Sequence, residues 1–144
     1  MSVITDRWLS EECRAEDGIY FPDDTFIPLI DNVPQFPRRA IAELLRLEPD
    51  AWSGIYAADP LAAMPDHLVF GGETSREEAG FLALVQESDR SLVWLLHSSK
   101  SEPFRSASVQ GAVLIATSRE YPSSLRWEIP LEAPWALTVA ASDA

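Results

Sequence analysis

The sequence predicts an α+β domain: a twisted antiparallel sheet of five to six strands in the C-terminal half, one or two helices, and a proline-rich extended N-terminal segment. Three observations carry this. From residue 67 onward, short apolar or alternating runs ("HLVF", "GFLALVQ", "SLVWLLHSS", "ASVQGAVLIATS", "SLRWEIP", "WALTVAA") recur between turn-forming residues. Their interval of about eight to twelve residues is that of an antiparallel sheet. Helical periodicity is confined to the first third, where prolines interrupt it. A chain of 144 residues, 47% apolar, is long enough to bury roughly 70% of its unfolded surface around one core, so residues 1–144 read as a single folded domain.

Taking the elements in order, "DRWLSEECRAED" is read as a short helix limited by Gly18, with Trp8, Leu9 and Cys13 toward the core. The next stretch, "YFPDDTFIPLIDNVPQFPRR", holds Pro22, Pro28, Pro34 and Pro37 among residues too apolar for a free linker. It is read as a segment wrapping over the domain, with a surface recognition arm as the alternative. "PRRAIAELLRLEP" predicts a helix of about ten residues from Pro37, because Pro suits the first helical position and Ile41, Leu44, Leu45 and Leu47 return at helical spacing before Pro49. "DAWSGIYAADPLAAMPD" reads as loop, with Trp52, Ile55 and Tyr56 buried.

Runs 81–86 and 92–98, joined by "ESDRS", make a hairpin. In the second run Leu92, Trp94 and Leu96 alternate with Val93, Leu95 and His97, and both sets are apolar enough to place this strand centrally, covered on two sides. "SVQGAVLIATSRE" leans toward strand despite Gly111. "SLRWEIP" sets Leu125, Trp127 and Ile129 against Arg126 and Glu128, a strand with one wet face that Pro130 closes.

Several chemistries are disfavoured. "FGGETSREEAGF" lacks the lysine of a phosphate loop, the only lysine of the chain being Lys100. Glu73, Glu77 and Glu78 around Gly71 and Gly72 would repel an anion that Arg76 alone cannot hold. These glycines read as a turn between strands, with Ser75 and Glu78 forming a capping box. His67 and His97 are the only histidines, too few for a metal site without clustered partners, and no cofactor is expected. Cys13 lies in "EECRAED", whose acids oppose a thiolate. The loop "HSSKSEPF" gathers His97, Ser98, Ser99, Lys100, Ser101 and Glu102. A small hydrolase or transferase using His97, with His67 and Glu102, is the enzymatic alternative.

Net charge is −12, and residues 1–80 hold sixteen acids against six bases while residues 81–144 hold seven against five. Such a field repels nucleic acid and anionic lipid and speeds encounter with a basic protein. One cysteine, an acidic N-terminus unlike a signal peptide, and no apolar stretch of membrane-spanning length point to the cytoplasm.

The runs "GFLALVQESDRSLVWLLHSSKSEPF", "GAVLIATS" and "RWEIPLEAPWALTV" give residues 67–141 a texture that resembles the strand meander of small cytoplasmic bacterial immunity proteins, which neutralise toxins of contact-dependent and other polymorphic delivery systems. The resemblance rests on a Trp-bearing central strand, Trp and Pro near strand ends, and an acidic chain of this length; it brings no catalytic residues with it. It implies a non-enzymatic inhibitor that binds a toxin domain. From the charge pattern, the expected partner-binding residues are the acids Asp17, Asp23, Asp24, Asp31, Glu77 and Glu78, with Tyr20, Phe21 and Phe36 as apolar anchors. A third possibility is a sheet edge that pairs with a second copy to give a homodimer.

Overall fold

The structure, a computed structural model, describes residues 2–56, 59–75, 79–100, 103–120 and 123–142. The first part of the chain forms helix α1 (Val3–Leu9), then strands β1 (Glu12–Arg14), β2 (Gly18–Tyr20), β3 (Thr25–Ile30), β4 (Val33–Pro34) and β5 (Arg39–Ala40), and helix α2 (Ala42–Leu47). Next come β6 (Trp52–Tyr56), β7 (Ala62–Met64), β8 (His67–Thr74), β9 (Gly80–Gln86) and β10 (Leu92–Ser98). A final meander, β11 (Phe104–Gln110), β12 (Val113–Glu120), β13 (Ser123–Pro130) and β14 (Thr138–Ser142), has a single 3₁₀ turn at Pro134–Ala136 before its last strand. The fold is mainly antiparallel sheet with minor helix.

Ten strands make one sheet in the order β1-β6-β8-β9-β10-β2-β3-β4, with β5 added to β3 and β7 to β8; the last four strands make a second sheet in sequence order. The expected five to six strands is therefore an undercount. Most of the missed strands lie where prolines interrupt the chain; in addition β1 lies within the stretch read as the first helix, and the run "SVQGAVLIATSRE", read as one strand, turns at Gly111 between β11 and β12. In "YFPDDTFIPLIDNVP" the prolines shorten strands rather than abolish them: β2 pairs with β10 through Ile19 and Leu96, and β3 pairs with β2 with Pro28 opposite Gly18. The segment expected to wrap over the domain is part of its sheet. Likewise 51–66 is not loop but supplies β6 and β7, and Tyr56, expected inside, is 61% exposed.

The layering follows from which faces are apolar. β9 and β10 are apolar on both faces and sit in the middle of the large sheet, covered twice as their composition requires. On one side Ile19, Leu82, Leu84, Trp94 and Leu96 meet Leu114, Trp127 and Ile129 of the second sheet. On the other, Tyr20, Phe81, Ala83 and Leu95 meet Ile4, Trp8, Ile41, Leu44 and Leu45 from α1, α2 and their flanks. The alternation expected in β10 is broken by a bulge between Leu92 and Trp94. It turns Leu92 to the helix side with Leu95 and leaves Val93, Trp94 and Leu96 toward the second sheet. Buried indoles keep their N–H paired: Trp127 Nε1 donates to Ser118 Oγ at 2.8 Å and Trp94 Nε1 to the Leu131 carbonyl at 3.0 Å.

Both helices are shorter or shifted relative to expectation. α2 has six residues and begins at Ala42, because Arg39 and Ala40 pair instead with Phe26 and Thr25. Backbone pairing at the sheet edge outcompetes the first helical turn. α1 ends at Leu9, which is half exposed, while Cys13 lies buried on β1. Gly71 and Gly72, read as a turn, run inside β8. A Cβ on Gly72 would stand 2.6 Å from the Tyr56 carbonyl oxygen, and one on Gly71 2.6 Å from Leu61 Cδ1. The glycines permit close approach of strands, not an anion. Ser75 pairs with Gly54 by N–H to carbonyl and by accepting Gly54 N–H at its Oγ, both 2.9 Å; Glu78, its expected capping partner, lies outside the described residues. Among the described residues no helix is long and apolar enough to cross a membrane.

Candidate functional site

Of the nine expected partner-binding residues, the seven that are described separate into a group that holds the fold together and a group that faces water. Asp17 belongs to the first. It sits just before β2, next to the end of β10. Its Oδ1 lies 3.1 Å from His97 Nδ1 and accepts the Ser99 N–H at 2.7 Å, and its Oδ2 accepts Ser99 Oγ–H at 2.7 Å. Burial works against its charged form, but the hydrogen bonds from His97 and Ser99 outweigh burial and hold the carboxyl below its usual range. The ionised carboxylate can only accept, so His97 carries a proton on Nδ1. His97 Nε2 is buried with no hydrogen-bond partner among the described residues.

The polar cluster expected at His97 is thus organised around Asp17, a residue distant in sequence. Ser99 hydrogen-bonds the carboxylate and not the imidazole, and the ring nitrogen that a serine relay would use is shut off from solvent. Glu102 and Ser101 lie outside the described residues. His67 is remote: it pairs with Gln86 at one end of β9, whereas His97 pairs with Phe81 at the other, roughly 17 Å apart at about 3.4 Å per residue. Among the described residues no group of three or more His, Cys, Asp or Glu side chains is placed to hold a metal. The Cys13 thiol is pushed up to about 12 by burial and secondarily by Glu12, so burial, more than the acidic neighbourhood, keeps it inert.

Asp24 is also structural. At a positive φ of 62°, its carboxylate accepts Ser2 Oγ–H at 3.0 Å and the Val3 and Ile4 amides at 3.1 Å, closing the start of α1 from across the chain. Tyr20 is buried at 1% exposure, stacked on Phe26, with its hydroxyl donating to the Glu16 carbonyl at 2.7 Å. It is core and not an interface anchor; its burial answers to its place opposite Leu95 in the sheet interior. Phe21 is buried beneath the Arg38 guanidinium, whose carbon lies 3.7 Å from the ring centroid. Asp23 is exposed, bonded to Thr25 beside it and 3.7 Å from Arg38. Glu77 and Glu78 lie outside the described residues.

Of the remaining two, Asp31 lies in the turn of the β3–β4 hairpin and Phe36 just beyond its second strand. Asp31 and Asn32 form its two-residue turn, both at positive φ, 51° and 65°, the geometry that matches strand twist and suits Asp and Asn. Ile30 and Val33 face each other across this turn and are 61% and 57% exposed; Phe36, just beyond β4, is 62% exposed. Asp31 points its carboxylate outward with Lys100 Nζ 3.9 Å away. The turn is fixed from below, since Ser98 Oγ donates to Asn32 Oδ1 at 2.5 Å. Beside it, Lys100, together with Leu125 and Val139 of the second sheet and Leu137 just before β14, completes a depression of about 370 Å³. β4 ends the strand order of the large sheet. Ile30 and Val33 were legible in principle as the apolar residues flanking an Asp-Asn turn, a hairpin signal in "LIDNVP". The arrangement is an apolar, acid-tipped knob on a rigid base at a sheet edge. Comparison with protein-family models, curated proteins and solved structures finds no match, so the geometry of this hairpin stands by itself as the guide to function.

Proposed function

We propose that this chain is a non-enzymatic, acidic binding protein of the inhibitory, immunity type, working in the cytoplasm by adhering to a basic protein through the β3–β4 hairpin. The observation that carries this reading is the pair Ile30 and Val33, each more than half exposed on either side of the Asp31–Asn32 turn at the open edge of the large sheet, with Phe36 likewise exposed two residues beyond β4. Large apolar side chains left in water on and next to one short hairpin cost solubility without benefit to the fold, and such exposure marks interaction sites. The partner is basic because the chain carries −12, concentrated in the part that contains the hairpin; the field would raise the association rate and the apolar anchors would slow dissociation.

The test uses immobilised wild-type protein and an Ile30→Ser, Asp31→Asn, Phe36→Ser variant, each exposed to lysate of the source cells at low and high ionic strength. The reading expects a basic protein held by the wild type, released by salt, and lost from the variant. Equal retention by both, or no salt-sensitive basic protein on either, removes the support.

A further inference from the structure

A second feature, separate from the hairpin, lies between the two sheets. A cavity of about 510 Å³ opens where β10 and the chain after β2 meet the turn following β13. Its walls include the rings of Phe21, Trp94 and Trp135, and its polar side chains are Arg38, His67 and Glu132. Residues 30–36 do not line it. This volume lies in the range of small-molecule sites, which are mostly apolar with a few placed polar groups.

The chemistry of the walls narrows the occupant. Trp94, 1% exposed with its N–H engaged by the Leu131 carbonyl at 3.0 Å, backs the cavity from behind, and its reachable apolar wall is Met64, Val93, Leu131 and Trp135. Phe21 and Trp135 lie with ring centroids 6.1 Å apart and planes tilted by 58°. Arg38 stacks on both, its guanidinium carbon 3.7 Å from the Phe21 centroid and 5.3 Å from that of Trp135. Stacking holds a guanidinium flat and leaves its in-plane N–H donors free to grip a carboxylate in two-pronged fashion. Among the described residues its ionic partner is Asp23, at a loose 3.7 Å, and both side chains are partly exposed. A ligand carboxylate can displace so weak a pair. Glu132 on the same cavity opposes a second negative charge, which disfavours phosphates.

We infer that this cavity binds a small planar aromatic monocarboxylate, the ring laid against the partly exposed Trp135, Val93, Leu131 and Met64 and the carboxylate on Arg38. The test titrates the full chain with naphthoate and with its neutral analogue naphthamide, following indole fluorescence and heat of binding. Naphthoate should bind saturably at one site, about tenfold tighter than naphthamide, as expected for one charge-assisted contact. Arg38→Gln should reduce naphthoate to the affinity of naphthamide. Ala112→Trp, placed on an exposed turn that lines the cavity, should abolish binding of both while leaving the unfolding midpoint nearly unchanged, so the test survives if Arg38→Gln misfolds. Asp23→Asn, by releasing Arg38, should tighten naphthoate a few-fold. Failure of naphthoate to saturate, equal affinity for the two probes, or binding undiminished in the Ala112→Trp protein would overturn the inference. None of these results bears on the hairpin.

Discussion

Residues 17–24 and 30–36 are built from similar material, acids set among aromatic and aliphatic side chains, yet the fold uses them in opposite ways. In the first segment two of the three acids serve the fold, Asp17 tying β2 to the end of β10 and Asp24 closing α1, while Asp23 between them is exposed. Tyr20 and Phe21 between them are buried. In the second, Asp31 tips a hairpin and its apolar neighbours face water. The difference lies in what each backbone needs. A helix start and a strand end leave N–H groups without partners, and a nearby carboxylate satisfies them. A two-residue turn whose ladder is already closed needs none, so its side chains are available to something outside the molecule.

The largest expected effect that bears on this contrast comes from Asp17→Ala. It removes three hydrogen bonds to an ionised acceptor and leaves the buried His97 ring without a partner, so unfolding in urea should show a loss of about 3 kcal/mol. A loss below about 0.5 kcal/mol would place Asp17 with the hairpin acids and dissolve the comparison. The same residue gives a pH signature. Its folded carboxyl is held below the usual range, so its contribution is fully present above the unfolded value and disappears as pH falls through the folded one. The stability gap between wild type and Asp17→Asn should therefore be flat above about pH 5 and narrow below about pH 4. A gap that widens with acid would reverse the assignment.

Asp24→Ala comes next, at about 1–2 kcal/mol, the cost of a lost helix-start acceptor. Amide exchange should show α1 opening before the sheet, because the first-turn amides of Val3 and Ile4 lose their acceptor. The smallest effects belong to the hairpin. Asp31→Asn keeps a residue that tolerates positive φ, and Ile30→Ser removes an exposed side chain, so each should shift stability by less than about 0.5 kcal/mol. A larger loss from Ile30→Ser would mean that the hairpin is structural after all.

How far this division was readable from sequence depends on the type of signal. Long apolar or alternating runs were legible: β9 and β10 were read as a hairpin, the double coverage of β10 follows from its apolar composition although a bulge breaks its alternation, and β13 follows its alternation. The proline-rich third was not, because short strands of two to six residues carry too little period, and their prolines argue for loop until a long neighbour such as β10 offers a partner. Helix α2 was placed too early because Pro37 is a sound helix start locally, and only the pairing of Arg39 and Ala40 with β3 overrides it. At the surface, charge alone could not separate Asp24 from Asp31. That distinction depends on contacts with residues about twenty and about seventy positions away, Ser2 and Lys100, which no local pattern announces. The exposed pair Ile30 and Val33 passed as ordinary apolar residues because sequence does not say which face of a hairpin is covered.

The central claim, that the hairpin of residues 30–36 is where this protein meets a basic partner, is tested most directly by titrating the salt-released protein against wild type and an Ile30→Ser, Phe36→Ser variant of unchanged stability. Loss of two apolar anchors should raise Kd by about 100-fold, chiefly through faster dissociation, while added salt should slow association of both alike. A Kd that is the same for the two chains would contradict the account.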